Sequence, residues 1–202
     1  MSAEPFARLY LAEATGSTSV LLISRTAQGD SPEKHWLVRR EIFKSIEDAG
    51  TRSAAASWRE QILVQLPDGS IALKQERNGD DNVVVAFDPP MVLFPPTIQR
   101  ATIEGDTLAP GFTQNLYVKV HPMKDETKIR VQGPATQNIF FEGEETVVVS
   151  GTPITATRIR RVFAPDFGTT TSVNESVEWL APGIGVIREI RSERTKVLGV
   201  QI

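Results

Sequence analysis

The chain has 202 residues, 40% hydrophobic and 23% charged, with no cysteine and a net charge of −3. That length suits one large domain or two small ones, and the composition excludes extended disorder. The missing cysteine excludes thiolate catalysis, disulfides and sulfur-ligated metals, and the evenly spread charge leaves no basic half to neutralise phosphates, so no nucleic acid partner is expected.

No apolar run approaches the roughly 20 residues of a membrane-spanning helix, so a membrane-spanning protein is not expected. Met1-Ser2-Ala3-Glu4 lacks the basic and apolar regions of a signal peptide. This leaves a cytosolic protein, or an exported one whose leader has been removed.

In chain order, two segments carry helical character: Pro5–Glu13, and Thr51–Trp58 with its Ala54-Ala55-Ala56. Ser31–Trp36 and the acidic Glu47–Gly50 read as surface connections. Gln61–Leu66 leads into Pro67-Asp68-Gly69-Ser70 and then Ile71–Gln75, a strong hairpin signal. Asn78–Asn82 is a second turn before Val83–Phe87. Asp88-Pro89-Pro90 and Phe94-Pro95-Pro96 then interrupt the pattern, since proline cannot donate to a sheet ladder. Residues 88–98 are therefore expected to connect an N-terminal half (1–97) to a C-terminal half (98–202) of one β-rich domain.

Further short strands are expected at Gln99–Ile103, Thr113–His121, Lys128–Val131, Glu145–Val149, Ile154–Phe163, Ser172–Trp179, Val186–Arg191 and Lys196–Ile202. In Thr113–His121, Leu116, Val118 and Val120 should face one way and Tyr117, Lys119 and His121 the other. Pro182-Gly183 and Gly185 mark a tight turn between the last long strands, where glycine admits positive φ. Evenly spaced strands without a helical period predict a mainly β fold, an antiparallel sheet or barrel rather than βαβ units, with one or two short helices.

Reactive groups are sparse. His35 and His121 lie far apart in sequence, no G-x-S-x-G occurs, and neither a triad nor a zinc site is expected. Glu142-Gly143-Glu144-Glu145 reads as a solvated turn without the spacing of a calcium loop. No catalytic residue, metal or cofactor is assigned, and the chain is read as not an enzyme. Positive charge concentrates in Arg158, Arg160, Arg161, Arg188, Arg191 and Arg194. These either grip an anionic headgroup or pair across strands with Glu175, Glu178, Glu189 and Glu193; the cross-strand reading is favoured.

Two stretches carry a family resemblance. Glu145-Thr146-Val147-Val148-Val149-Ser150-Gly151-Thr152-Pro153-Ile154 runs into Ala156-Thr157-Arg158-Ile159, and Trp179-Leu180-Ala181-Pro182-Gly183-Ile184-Gly185-Val186-Ile187-Arg188 follows later. Over residues 98–202 the chain resembles the DUF3108 and TapB-like group of exported bacterial proteins of unknown function. Ser150–Ile154 departs from that group's small-residue turn and aromatic. The resemblance implies a long curved antiparallel sheet that forms a half-barrel like that of the lipoprotein carriers (LolA, LolB and LppX types), and a periplasmic or otherwise exported location.

Trp179, Arg158 and Arg188 are the expected ligand-binding residues, for a lipid-like or other apolar small molecule in the concave face of the sheet. An acyl chain of about 12 methylenes would gain roughly 10 kcal/mol on burial, which exceeds an association cost of about 4 kcal/mol or more. The alternative is a structural module of the cell envelope that contacts other proteins through a sheet face or edge.

Overall fold

The computed structural model describes residues 6–14, 17–28, 34–51, 55–97, 102–104, 107–149, 151–182, 184–197 and 200–201. Among the described residues the fold is mainly β and antiparallel, with almost no helix, and its sheet is not closed into a barrel. The chain divides into two compact units, Met1–Phe94 with Lys119–Val131, and Pro95–Val118 with Gln132–Ile202.

In the first unit the hydrogen-bonded order is β1 (Phe6–Ala14), β2 (Ser17–Gln28), β3 (His35–Phe43), β4 (Ser57–Gln65), β5 (Ile71–Asn78) and β6 (Val83–Phe94). A short helix α1 (Ile46–Thr51) interrupts it between β3 and β4. Pro5–Glu13 is thus β1 and not a helix, apart from Pro5, which lies outside the described residues. The helix preference of its Ala and Leu residues yields to antiparallel pairing of the whole of β1 with Ser17–Arg25 of β2.

Helix α1 falls where a loop is expected, at Glu47–Gly50. The Ser45 hydroxyl accepts from the Asp48 N–H at 3.1 Å and donates to the Asp48 carboxylate at 2.8 Å, a reciprocal N-terminal cap. Ala49 packs on Phe43, both buried. The alanine-rich helix expected at Thr51–Trp58 does not form as such: Thr51 ends α1, β4 begins at Ser57, and residues 52–54 lie outside the described set. Of the connection Ser31–Trp36, residues 31–33 also lie outside it, while His35 and Trp36 open β3.

The β4–β5 hairpin forms on Asp68-Gly69 as expected. Gly69 takes φ 91°, and Asp68 accepts from the Ser70 N–H at 2.8 Å and the Ser70 hydroxyl at 2.9 Å. Residues 88–94, expected as a connection, instead extend β6. The prolines are tolerated because the β5–β6 ladder skips from Gln75↔Ala86 to Leu73↔Met91, so Pro89 and Pro90 face no paired donor there. Trp36, Val64, Leu73, Val84 and Val92 are buried in this unit.

In the second unit a separate hairpin joins β7 (Thr102–Glu104) to β8 (Thr107–Ala109). Residues 98–101, where a strand is expected to begin, lie outside the described set. β9 (Phe112–Pro122) gives its first residues to this unit and its last to the other. Its alternation is as expected at Leu116 and Val118, which are buried, and Tyr117, which is 38% exposed, while Lys119, Val120 and His121 are all half-buried.

The order then runs β10 (Val131–Val149), β11 (Thr152–Pro165), β12 (Thr170–Ala181), β13 (Gly185–Val197) and β14 (Val200–Gln201). Lys128–Arg130, expected in a strand, lies in the turn before β10, which Asp125 holds through Thr127 and Lys128. The β12–β13 turn holds Gly185 at φ 97° and an Ile184 N–H bonded to the Ala181 carbonyl at 3.1 Å; Gly183 lies outside the described residues.

β10 is longer than its sequence suggests because Gly133 and Pro134 lie inside it. A Cβ on Gly133 would stand 1.9 Å from the Asp166 carbonyl oxygen, so glycine is required by the close approach of that backbone. The Asp166 N–H in turn bonds the Pro134 carbonyl at 2.8 Å.

Two predictions arise here. Gly133→Ala should destabilise the fold by about 1–3 kcal/mol through overpacking against backbone that cannot yield, read as a lowered urea midpoint. The Ser70 N–H, and after it the Ser70 hydroxyl, hold the Asp68 carboxyl below the ordinary carboxylate range. A depressed folded-state pKa contributes stability above the unfolded value of about 3.9 that is lost as pH falls through the folded value. Asp68→Asn should therefore flatten the acid limb of the stability–pH profile, with NMR titration placing the wild-type carboxyl below the peptide value.

Candidate functional site

β11 and its neighbours bring the expected residues together. Arg158 stands directly opposite Trp179 on β12, and Trp179 directly opposite Arg188 on β13. Residues directly opposite in an antiparallel ladder share a face, so both guanidinium groups meet the indole. The guanidinium carbons lie 5.5 Å and 4.6 Å from the ring centroid, and Trp179 is 4% exposed. Its indole N–H donates to Glu145 Oε2 at 2.9 Å. Buried tryptophan usually finds such an acceptor, and cations favour the indole face.

The stack continues through residues that sequence reasoning passed over. β10 carries a bulge between Phe141 and Gly143, with Gly143 at φ 123°. The extra residue is Glu142, and the bulge aims its carboxylate between two arginines. Arg158 Nε lies 3.1 Å from Oε2 and Arg160 Nε 2.9 Å from Oε1. Arg160 also covers the Phe140 ring at 3.9 Å and reaches Glu175 at 3.7 Å. Glu142–Glu145 is thus part of a strand, not a solvated turn, because the bulge absorbs Gly143 without breaking the ladder. A glycine flanked by glutamates inside a β run was the available signal.

Arg158 and Arg160 pair with the carboxylates of Glu142 and Glu175, while Arg188 stacks on Trp179, whose indole N–H binds Glu145. An arginine already paired with a carboxylate, as Arg158 and Arg160 are, gains little from an added anion. Cross-strand pairing holds for Arg160 with Glu175 and Arg161 with Glu178, whereas Arg191 pairs along its own strand with Glu189.

The opposite face of β11 is drier. Ile159 and, on β10, Ile139 are fully buried. Arg161 Nε meets Glu178 Oε1 at 3.0 Å, and the Ser176 hydroxyl donates to the same oxygen at 3.1 Å. Both partners of this pair are buried. Among the described residues, no group of three or more His, Asp or Glu side chains is placed to hold a metal ion. His121 Nδ1 bonds the Lys128 carbonyl at 2.8 Å, and His35 lies at the start of β3. No helix of the described residues is long and apolar enough to cross a membrane.

No family model, curated protein or solved structure matches this chain.

The two ion pairs should respond differently to removal. Glu178→Ala leaves the Arg161 charge buried and should cost about 3–5 kcal/mol. Glu142→Gln, whose arginine partners both reach solvent in part, should cost only about 1 kcal/mol. Urea unfolding followed by tryptophan fluorescence measures both.

Proposed function

We propose that this chain is a non-enzymatic, exported β-sheet protein that acts as an assembly module of the cell envelope, contacting another polypeptide by strand addition at its open edge. The carrying observation is the outer edge of β13. β14 pairs back only at Lys196 and Val197, so from Gly185 to Thr195 no strand lies on the side of β13 away from β12 among the described residues. Unpaired N–H and C=O groups along such an edge template a further strand.

What supports the non-enzymatic part is that the carboxylates of the arginine cluster are committed to ion pairs rather than gathered in a cleft. What supports the exported location is the likeness of residues 98–202 to exported bacterial proteins.

A second reading, binding of an apolar or lipid-like ligand, is favoured by a different observation. Val173 and Ile190, 41% and 50% exposed, share the face that carries Trp179. An acyl chain laid there would cover both and the edge of the indole.

A photo-crosslinking residue at Ser192, on the outer part of β13, should yield discrete protein adducts in cells, and one at Thr157 on the inner strand β11 should not. Smears or no adducts from Ser192 would sink the assembly reading. The ligand reading predicts an added mass of a few hundred daltons, the order expected for about 12 methylenes or more, in native mass spectra of detergent-free protein. An unadorned chain mass that takes up no fatty acid would remove it.

A further inference from the structure

Edge strands ordinarily carry charge as a guard against pairing with another sheet. β13 carries Arg188-Glu189-Ile190-Arg191-Ser192-Glu193-Arg194 along its open stretch, with the signs mixed. A guard of one sign would repel a second copy in every register. A mixed guard repels most registers and admits those in which opposite signs meet.

Two copies of one strand related by a two-fold axis pair antiparallel around a central residue that faces itself. Centring on Glu189 sets it against Glu189 of the second copy. Centring on Arg191 sets arginine against arginine, Glu189 against Glu193 and Arg188 against Arg194. Centring on Ser192 sets Arg188 against Lys196, a position that β14 already occupies, and so shortens the ladder.

Centring on Ile190 behaves differently. It pairs Gly185 with Thr195 and so uses the whole free stretch, ending where β14 begins. It places Glu189 opposite Arg191 twice, Arg188 opposite Ser192, and no like charges opposite one another. The half-exposed Ile190 covers its own copy. Glu189 and Arg191, already paired along their strand, would join their counterparts in a square of alternating sign. A full ladder adds about ten hydrogen bonds, the number in a typical protein–protein interface.

We propose that the partner at this edge is a second copy of the chain, joined through antiparallel β13–β13 pairing with the two-fold axis at Ile190. This rests on the assembly reading and names its occupant.

The chain has no cysteine, so a single introduced thiol reports pairing without background. Residues opposite each other in an antiparallel pair have Cα atoms about 4.5–5.5 Å apart, inside the disulfide range of about 4.4–6.8 Å. Ile190→Cys should therefore form a disulfide-linked dimer under mild oxidation. Arg188→Cys and Ser192→Cys proteins should each stay uncrosslinked alone and crosslink when mixed.

Sedimentation should show the wild-type dimer, and Glu189→Arg should weaken it roughly tenfold or more by setting arginine against arginine twice. The double variant E189R/R191E should restore it, and both should keep the wild-type circular dichroism spectrum. A chain that stays monomeric at every concentration, or a thiol pattern centred on another residue, overturns the inference. If the Ile190→Cys thiol then crosslinks in cells to a different protein, the assembly reading stands with another occupant. If it crosslinks to nothing, both fall.

Discussion

An antiparallel ladder satisfies each strand's backbone through its neighbours, and a linear order leaves its outermost strands with one neighbour short. Nearly every feature of this chain follows from that constraint. With one short helix among the described residues, almost all backbone donors and acceptors depend on strand pairing. Where the outer side of β13 goes unpaired among the described residues, from Gly185 to Thr195, side-chain chemistry changes with it. Inner strands such as β10 and β11 bury Ile139 and Ile159, whereas β13 is exposed along most of its length and alternates charge.

The second organising element is a single inserted residue. The bulge at Glu142 sets a carboxylate between Arg158 and Arg160, which orders those arginines over Trp179 and Phe140. Cation–π contact, ion pair and indole hydrogen bond therefore act as one connected set across β10 to β13. Each member restricts the rotamers of the next, so the set defines side-chain positions across that sheet face. The buried Arg161–Glu178 pair does comparable work on the other face, at a greater desolvation cost.

Turn chemistry and alternation were legible from residues alone. Asp68-Gly69 made its hairpin, Leu116 and Val118 turned inward, and the Gly185 turn took the positive φ that its position required. Elements that depend on a distant partner were misjudged. Pro5–Glu13 has local helix character and becomes β1 through β2, and Pro89-Pro90 looks like a break yet lies within β6 because the neighbouring ladder skips there. Helix α1 carried a readable cap, Ser45 with Asp48, that was outweighed by its acidic, loop-like composition.

At the candidate site the residue types were readable and their arrangement was not. Trp179, Arg158 and Arg188 stood out by charge and size, and a strand-and-turn pattern with a mainly antiparallel outcome was determined by the order of residues, because alternation and turn preferences act over a few positions. That Glu142 pairs with two arginines, that Gly133 must yield to the Asp166 backbone, and that β13 has an open outer side among the described residues were decided only by tertiary structure. Those depend on register between segments far apart in the chain, and a shift of one residue would turn each of these side chains to the other face.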